Sequence, residues 1–238
     1  YASKHGMLYG KYTDENDEAT KTNDLVRLYV CPYNLNDPSV TDGVVTLPNT
    51  VQEIYKQAFW KNAVVKKIKF EAASGGTAAS ALTIGEEAFV GATGLTEFDL
   101  PSGMTTIKAG MFKGCSGLTR VWIPNTVSLI EAGAFEGCTA LATVEFETGN
   151  DSNKLVLGDG RFESKKEETA FEETTELAVG ALGYYYKKVV TYQNGSEDVT
   201  EEFGYSNLTS IELPKRLSKI GTYAFFGCKN LTTVDFGK

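Results

Sequence analysis

PSGMTTIKAGMFKGCSGLTRVWI, Pro101 to Ile123, runs directly into PNTVSLIEAGAFEGCTALATVEF, Pro124 to Phe146. Laid over one another, the stretches agree position by position: Ile107 over Ile130, Phe112 over Phe135, Cys115 over Cys138, Leu118 over Leu141, Val121 over Val144. A third copy, PKRLSKIGTYAFFGCKNLTTVDF, spans Pro214 to Phe236. Phe89 precedes Phe112 by the same 23 residues that separate Phe112 from Phe135, and Ile84 likewise precedes Ile107. A fixed period in the low twenties marks a solenoid, in which each repeat buries its apolar face only against its neighbours.

Two looser copies come earlier in the chain. Pro48 to Phe70 carries Val51, Ile54, Ala58, Phe59 and Ile68 in matching places, and LTIGEEAFVGATGLTEFDL covers Leu82 to Leu100. An Ala-, Ser- and Gly-rich insertion, Ala72 to Ala81, lies between them. Within a copy, Val121 and Ile123 alternate with Trp122, which predicts a strand with Trp122 outward. Pro124 ends that strand because it cannot donate to a ladder. Val127 to Ile130 reads as a second short strand. Ala134-Phe135 with Gly137-Cys138 reads as a tight, partly helical turn.

The pattern I-G-x-x-A-F-x-G-C-x-x-L-x-x-V-x-I-P, carried most fully by Ile220-Gly221-Thr222-Tyr223-Ala224-Phe225-Phe226-Gly227-Cys228-Lys229-Asn230-Leu231, resembles the BspA-like leucine-rich repeat family. The resemblance covers roughly residues 44–162 and 207–238. It implies a right-handed leucine-rich-repeat-like coil, β-rich, with short strands and tight 3₁₀ or helical turns. It also implies a bacterial cell-surface or secreted protein with a binding role such as adhesion, and names no ligand.

The expected organisation is an N-terminal cap at 1–43, repeats at 44–162, an insert or decayed repeat at 163–206, and a final repeat at 207–238. In the cap, Asp24 to Val30 alternates like a strand, and the acidic run Asp14 to Glu18 reads as a solvated loop. In the interruption, ESKKEETAFEETTEL, Glu163 to Leu177, is highly charged and open to a helical reading. Tyr184 to Tyr192 is a strand signal, and Asn194-Gly195 suits a type I′ hairpin turn. Val179-Gly180 could instead be a degenerate Ile-Gly of another coil, so hairpin insert and decayed repeat both stand. The chain stops two residues after Phe236, so the last coil is expected to pair with another chain or to continue into a longer protein. Tyr1 in place of Met reads as a processed or excised chain.

The net charge of −8 argues against nucleic acid and anionic membrane surfaces as partners, both of which call for a basic face. No apolar run is long enough to span a bilayer. Cys115, Cys138 and Cys228 share one repeat position, where packing alone explains a small buried hydrophobe. Coil spacing leaves both free thiols and a Cys115–Cys138 bridge open. Without a C-x-x-C pair no zinc site is expected, and no cofactor is implied. Asp151, Asp159 and the acidic insert are weak calcium candidates, with ordinary solvated charge the expectation.

Strand alternation defines an outward ladder, Lys69, Asp99, Trp122, Glu145, Glu212 and Asp235. A parallel one holds Lys67, Glu97, Arg120, Thr143, Ser210 and Thr233. Trp122 flanked by Arg120, Asp99 and Glu145 has the composition of a binding hot spot. Trp122, Arg120, Asp99, Glu145 and Glu97, with Tyr184 and Tyr186 of the interruption, are therefore the candidate ligand contacts. The alternative for Trp122 is packing under a neighbouring loop or the insert. Catalysis is not expected. His5 is the single histidine, no phosphate-binding glycine motif precedes a helix, and an open sheet face cannot hold a catalytic carboxyl proton by burial. The sequence reads as a non-enzymatic extracellular recognition module for a protein or glycan on a host or microbial surface. The alternatives are an assembly protein stacking through its terminal coils and, least of all, a carbohydrate-active enzyme.

Overall fold

A computed structural model describes residues 2–4, 6–11, 25–32, 35–37, 40–71, 82–149, 152–159, 161–168, 172–179, 181–182, 185–193, 196–204, 206–226 and 228–237. The chain begins with β1 (Ala2–Lys4), β2 (Met7–Lys11) and β3 (Leu25–Val30). Coils then alternate front and back strands: β4 (Val44–Leu47), β5 (Glu53–Ile54), β6 (Lys67–Phe70), β7 (Thr83–Ile84), β8 (Glu97–Asp99), β9 (Thr106–Ile107), β10 (Arg120–Ile123), β11 (Leu129–Ile130), β12 (Thr143–Phe146) and β13 (Leu155–Leu157). Next come β14 (Arg161–Glu168), β15 (Glu172–Val179), β16 (Tyr185–Gln193) and β17 (Ser196–Gly204). The last coils supply β18 (Ser210–Glu212), β19 (Leu217–Ile220) and β20 (Thr233–Asp235). The described residues contain strands and turns and no helix.

Same-side strands of successive coils pair in parallel. On the front, Val121 registers with Phe98 and Val144, and Trp122 with Asp99 and Glu145. On the back, Ile130 registers with Ile107 and Leu157. At the N-terminus β3 pairs antiparallel with β2 and parallel with β5, so β1–β3 extend the back sheet. The strand expected within Asp24–Val30 is therefore the link from the irregular start to the first coil.

The turns satisfy their backbone by an alternation that the 23-residue period permits. The N–H groups of Met111, Lys113 and Cys115 bond three residues back within their own turn. Those of Gly110, Phe112 and Gly114 donate instead to Gly133, Ala134 and Glu136 of the next coil. Half the amides thus close 3₁₀-like turns and half stitch coils together, which leaves few buried donors orphaned.

Phenylalanines fill the core as a stack. Phe59 lies 5.0 Å from Phe89, Phe89 5.2 Å from Phe112, and Phe112 5.2 Å from Phe135, centroid to centroid. The last two pairs are nearly parallel, at 5° and 1° between ring planes. Phe98 meets Phe112 edge-on at 5.2 Å. Cys115 and Cys138 are free, fully buried thiols donating to the carbonyls of Phe89 and Phe112 at 3.0 and 3.1 Å. Stacked coils point their side chains alike, so each thiol donates to a carbonyl of the preceding coil. Burial drives the Cys138 thiol well above its ordinary range.

Two positions depart from the repeat in a way packing explains. Asn62 takes the place of Cys115, is fully buried, and donates to the Pro32 carbonyl at 2.6 Å. Its side-chain oxygen accepts from the amides of Val64 and Val65 at 3.0 and 2.7 Å. Arg216 is buried and its guanidinium donates to the carbonyls of Val127, Asn153 and Pro124. It pins the final coils to a coil two turns earlier, across the lengthened step from Ile130 to Leu157.

In the charged stretch Glu163–Leu177, open to a helical reading above, the described residues are strand. β14–β17 form an antiparallel meander in chain order. The register sets Lys187 opposite Glu202 and Lys188 opposite Glu201, the cross-strand complementarity that favours a sheet. Between β15 and β16, Ala181 and Leu182 are fully buried and belong to the hydrophobic core. Asn194-Gly195 lies outside the described residues, as do Asp14–Glu18 and Ala72–Ala81; β16 and β17 pair up to Gln193 and Ser196.

Candidate functional site

The front face is built by alternation. Phe98, Val121 and Val144 point into the core, so their neighbours on β8, β10 and β12 point out. This places five of the expected residues together. Arg120 lies at the centre: Nη1 is 2.7 Å from Asp99, and Nη2 is 2.6 Å from Glu145. Its Nε donates to the same Glu145 oxygen at 3.0 Å, and Glu97 lies at 3.9 Å. Lys67 of β6 extends the network to Glu97 at 2.7 Å and Asp99 at 3.8 Å. Hydrogen bonds to Glu145 and Asp99 raise the Arg120 pKa still further, so its charge is permanent.

Trp122 stands in register between Asp99 and Glu145, on the outward side of β10, and is half-buried. The ion pairs on the open face contribute little to stability. They fix a planar guanidinium and three carboxylates beside an indole, on strands held by backbone ladders. Tyr186 lies in β16, where the structure describes backbone only, and Tyr184 lies outside the described residues.

Toward the C-terminal side the face is interrupted. Among the described residues no backbone hydrogen bond joins β12 to β18, and the two belong to separate sheets. A notch of about 520 Å³ opens there, lined by Glu145, Phe146, Glu212, Leu213, Pro214 and Lys215. It begins at Glu145, so the Arg120 network forms one of its borders.

Asp159, a calcium candidate by sequence, accepts from the Thr222 amide at 2.8 Å and pairs with Lys219 at 3.2 Å. These interactions hold its pKa below the ordinary carboxylate value. Its charge thus serves the contact between two coils; Asp151 lies outside the described residues. Among the described residues no cluster of three potential metal ligands occurs.

One aromatic group escaped the sequence reading. Tyr29 of β3 packs edge-on against Tyr55 at 5.3 Å, and the Arg27 guanidinium lies 5.7 Å from the Tyr29 ring. Trp60, in the turn after β5, is 48% exposed and carries the Lys61 ammonium 4.6 Å from its ring centre. Tyr29 and Trp60 are 31 residues apart in sequence, and only coiling brings them together. The available signal was that Tyr55 and Trp60 flank Ala58-Phe59, where Tyr55 stands over Gly85, Lys108, Glu131 and Gly221 and Trp60 over Val90, Lys113, Glu136 and Phe226.

Comparison with known proteins agrees with the architecture. The BspA type leucine-rich repeat region matches in six copies, at residues 43–138, 76–166 and 199–238. The crystal structure of a T. pallidum leucine-rich repeat protein superposes with a TM-score of 0.55 at 19% identity, covering 96% of this chain and 78% of that one. A Bacteroides ovatus leucine-rich repeat protein gives 0.48 at 19% identity, covering 100% of this chain and 53% of that one, so this chain spans about half its length. A leucine-rich cell surface protein from Faecalibacterium prausnitzii gives 0.34 at 18% identity, covering 90% and 65%. Comparison with curated proteins gives no match. At 19% identity the likeness to the T. pallidum protein speaks for the fold alone, and the six matched copies speak for the family: the chain belongs to the BspA-type leucine-rich repeat family.

Proposed function

We propose that this chain is a non-enzymatic extracellular recognition module whose front face binds a protein or glycan on a host or microbial surface. The observation that carries the reading is Trp122, half-buried on the outward side of β10 and flanked by the Arg120–Asp99–Glu145 network. Trp and Arg are the residue types that dominate binding energy when a partner covers them. Here they sit on paired strands, so little ordering is required on association. The notch beside Glu145 gives the face relief for a protruding partner group. The carboxylates are tied to a guanidinium on an open surface, whereas a glycosidase acid needs an environment that keeps its proton. The extracellular placement follows what the family resemblance implies.

The test is surface plasmon resonance against immobilised matrix proteins, mucins and bacterial glycans, comparing the native chain with Trp122→Ala at matched thermal stability. Binding that weakens at least tenfold in the variant supports the reading. Binding to the same surfaces at unchanged affinity overturns the front-face assignment.

A second reading rests on a different observation. The last coil exposes Phe236 (61%), Tyr223, Ile220 and Val234, apolar side chains suited to coil-on-coil stacking with another chain. Sedimentation velocity over a hundredfold concentration range tests it. Association that Phe236→Asp abolishes favours assembly, and a concentration-independent monomer excludes self-stacking.

A further inference from the structure

We infer that the N-terminal aromatic cleft is a second binding site, independent of the front face, that takes a carboxylated pyranose such as a uronic acid residue of a glycan. The cleft has a volume of about 480 Å³ and is lined by Tyr29, Val30, Pro32, Tyr55, Lys56 and Trp60. That volume lies in the range of small-ligand sites. Its apolar walls are open to solvent: Trp60 and Val30 are each 48% exposed and Tyr55 38%. Two aromatic rings and a valine left uncovered at one spot, with the half-buried Tyr29 ring behind them, call for an occupant.

Charge identifies the occupant. The chain carries a net charge of −8, yet this cleft is edged by cations. Arg27 is paired with Glu53, whereas Lys56 and Lys61 have no carboxylate partner among the described residues. Lys61 lies instead over the Trp60 ring. An aromatic wall with unpaired ammonium groups at its rim matches a ring whose C–H face stacks and whose carboxylate pairs with lysine.

The backbone adds an independent pointer. Lys61 has a φ of +51°, and Gly91, Gly114 and Gly137 occupy the same turn position at +67°, +72° and +73°. Lys61 is the one described member of that column that is not glycine. Other turn residues of the coils, Gln57, Glu87 and Tyr223, share the left-handed backbone, so what sets Lys61 apart is the charged side chain it adds to this column beside the Trp60 ring.

The topology disfavours a peptide adding as a strand. β3 is already paired with β2 and β5, and β5 with β3 and β7, so neither offers a free edge. Recognition here rests on rings and charges alone. Tyr29 is set from behind by Gly10, where an added Cβ would lie 2.7 Å from the tyrosine ring.

The experiment is ligand-observed NMR with methyl glucuronide as probe, against methyl glucoside, which has the same ring without the carboxylate. Saturable binding at millimolar glucuronide, at least tenfold weaker for glucoside and weakened by added salt, is expected. Lys56→Gln, an exposed substitution that leaves the core untouched, and Trp60→Ala should each cost about tenfold or more, one charge-assisted contact being of that order. Trp122→Ala should leave this binding unchanged. Equal affinity for the two sugars, retention in both cleft variants, loss in Trp122→Ala, or no saturable response up to about 20 mM would each overturn the assignment. A failure here leaves the front-face reading standing, because the two rest on different residues and probes.

Discussion

Truncating Phe112 to alanine removes the ring at the centre of the stack and tests whether the repeat holds together as described. Phe112 is fully buried, stacked on Phe89 and Phe135 at 5.2 Å each and met edge-on by Phe98 at 5.2 Å. Phe→Ala in a close-packed core costs about 3–5 kcal/mol. Each aromatic pair is worth roughly 0.5–1.5 kcal/mol beyond burial, so three lost pairs place this variant at the upper end, about 4–5 kcal/mol. Coils on both sides prevent collapse into the cavity. Phe112→Leu keeps most apolar volume and loses the pairs, so about 1–2 kcal/mol is expected. Phe225 holds the same repeat position in the last coil but is only half-buried, so Phe225→Ala should cost less than about 2 kcal/mol. Urea unfolding followed by far-UV circular dichroism reads all three against the native chain. A loss below about 1.5 kcal/mol for Phe112→Ala, or equal losses for Phe112→Ala and Phe225→Ala, would refute the stacked-core account. A halved urea slope would show that the coils on either side unfold separately.

Three further outcomes follow from single features. Gly114 has a φ of +72° with only ordinary contacts around a built Cβ, the nearest at 3.5 Å, so Gly114→Ala should lose about 1–2 kcal/mol for backbone reasons alone, read by the urea midpoint. Arg216→Leu removes the guanidinium donor from the Val127 and Asn153 carbonyls and one of the two donors to the Pro124 carbonyl and should cost about 2–4 kcal/mol, with hydrogen exchange accelerating first in the last two coils. Burial pushes the Cys31 thiol up to about 12. The unfolded thiol ionises near its ordinary value while the folded one does not, so the contribution is intact below about pH 8.5. It fades as pH rises toward the folded value, by about 1.4 kcal/mol per unit. Comparing urea midpoints at pH 8 and pH 10 for the native chain and Cys31→Ala checks this, the variant showing the flatter dependence.

The periodic part of the fold was legible because a solenoid writes its tertiary contacts into its spacing. Phe89, Phe112 and Phe135 recur in sequence because they stack in space. The ladder of Asp99, Trp122 and Glu145 follows from strand alternation plus that period. Features made by contact between unlike coils were hidden. Arg216, after a proline and a lysine, reads as a solvated surface residue, yet it reaches carbonyls 63 to 92 positions away. The helical reading of Glu163–Leu177 failed because charge runs carry no period, and Lys188 opposite Glu201 is a pattern across strands rather than along one. The aromatic cleft was missed because Tyr29 belongs to no repeat, while Trp60 sits at a repeat position where other copies hold different residue types.

The chain has two tryptophans, Trp60 in the cleft and Trp122 on the front face, and this makes one measurement decisive for the proposed recognition role. Trp60→Phe leaves Trp122 as the only indole, and Trp122→Phe leaves only Trp60. Acrylamide quenching of each single-tryptophan protein, with and without the surface ligand that the native chain captures, reports which ring the partner covers. The account predicts that the ligand shields Trp122 in the first protein and leaves Trp60 quenching unchanged in the second. A ligand bound at full affinity that leaves Trp122 as quenchable as in the free protein would contradict the front face as the recognition surface.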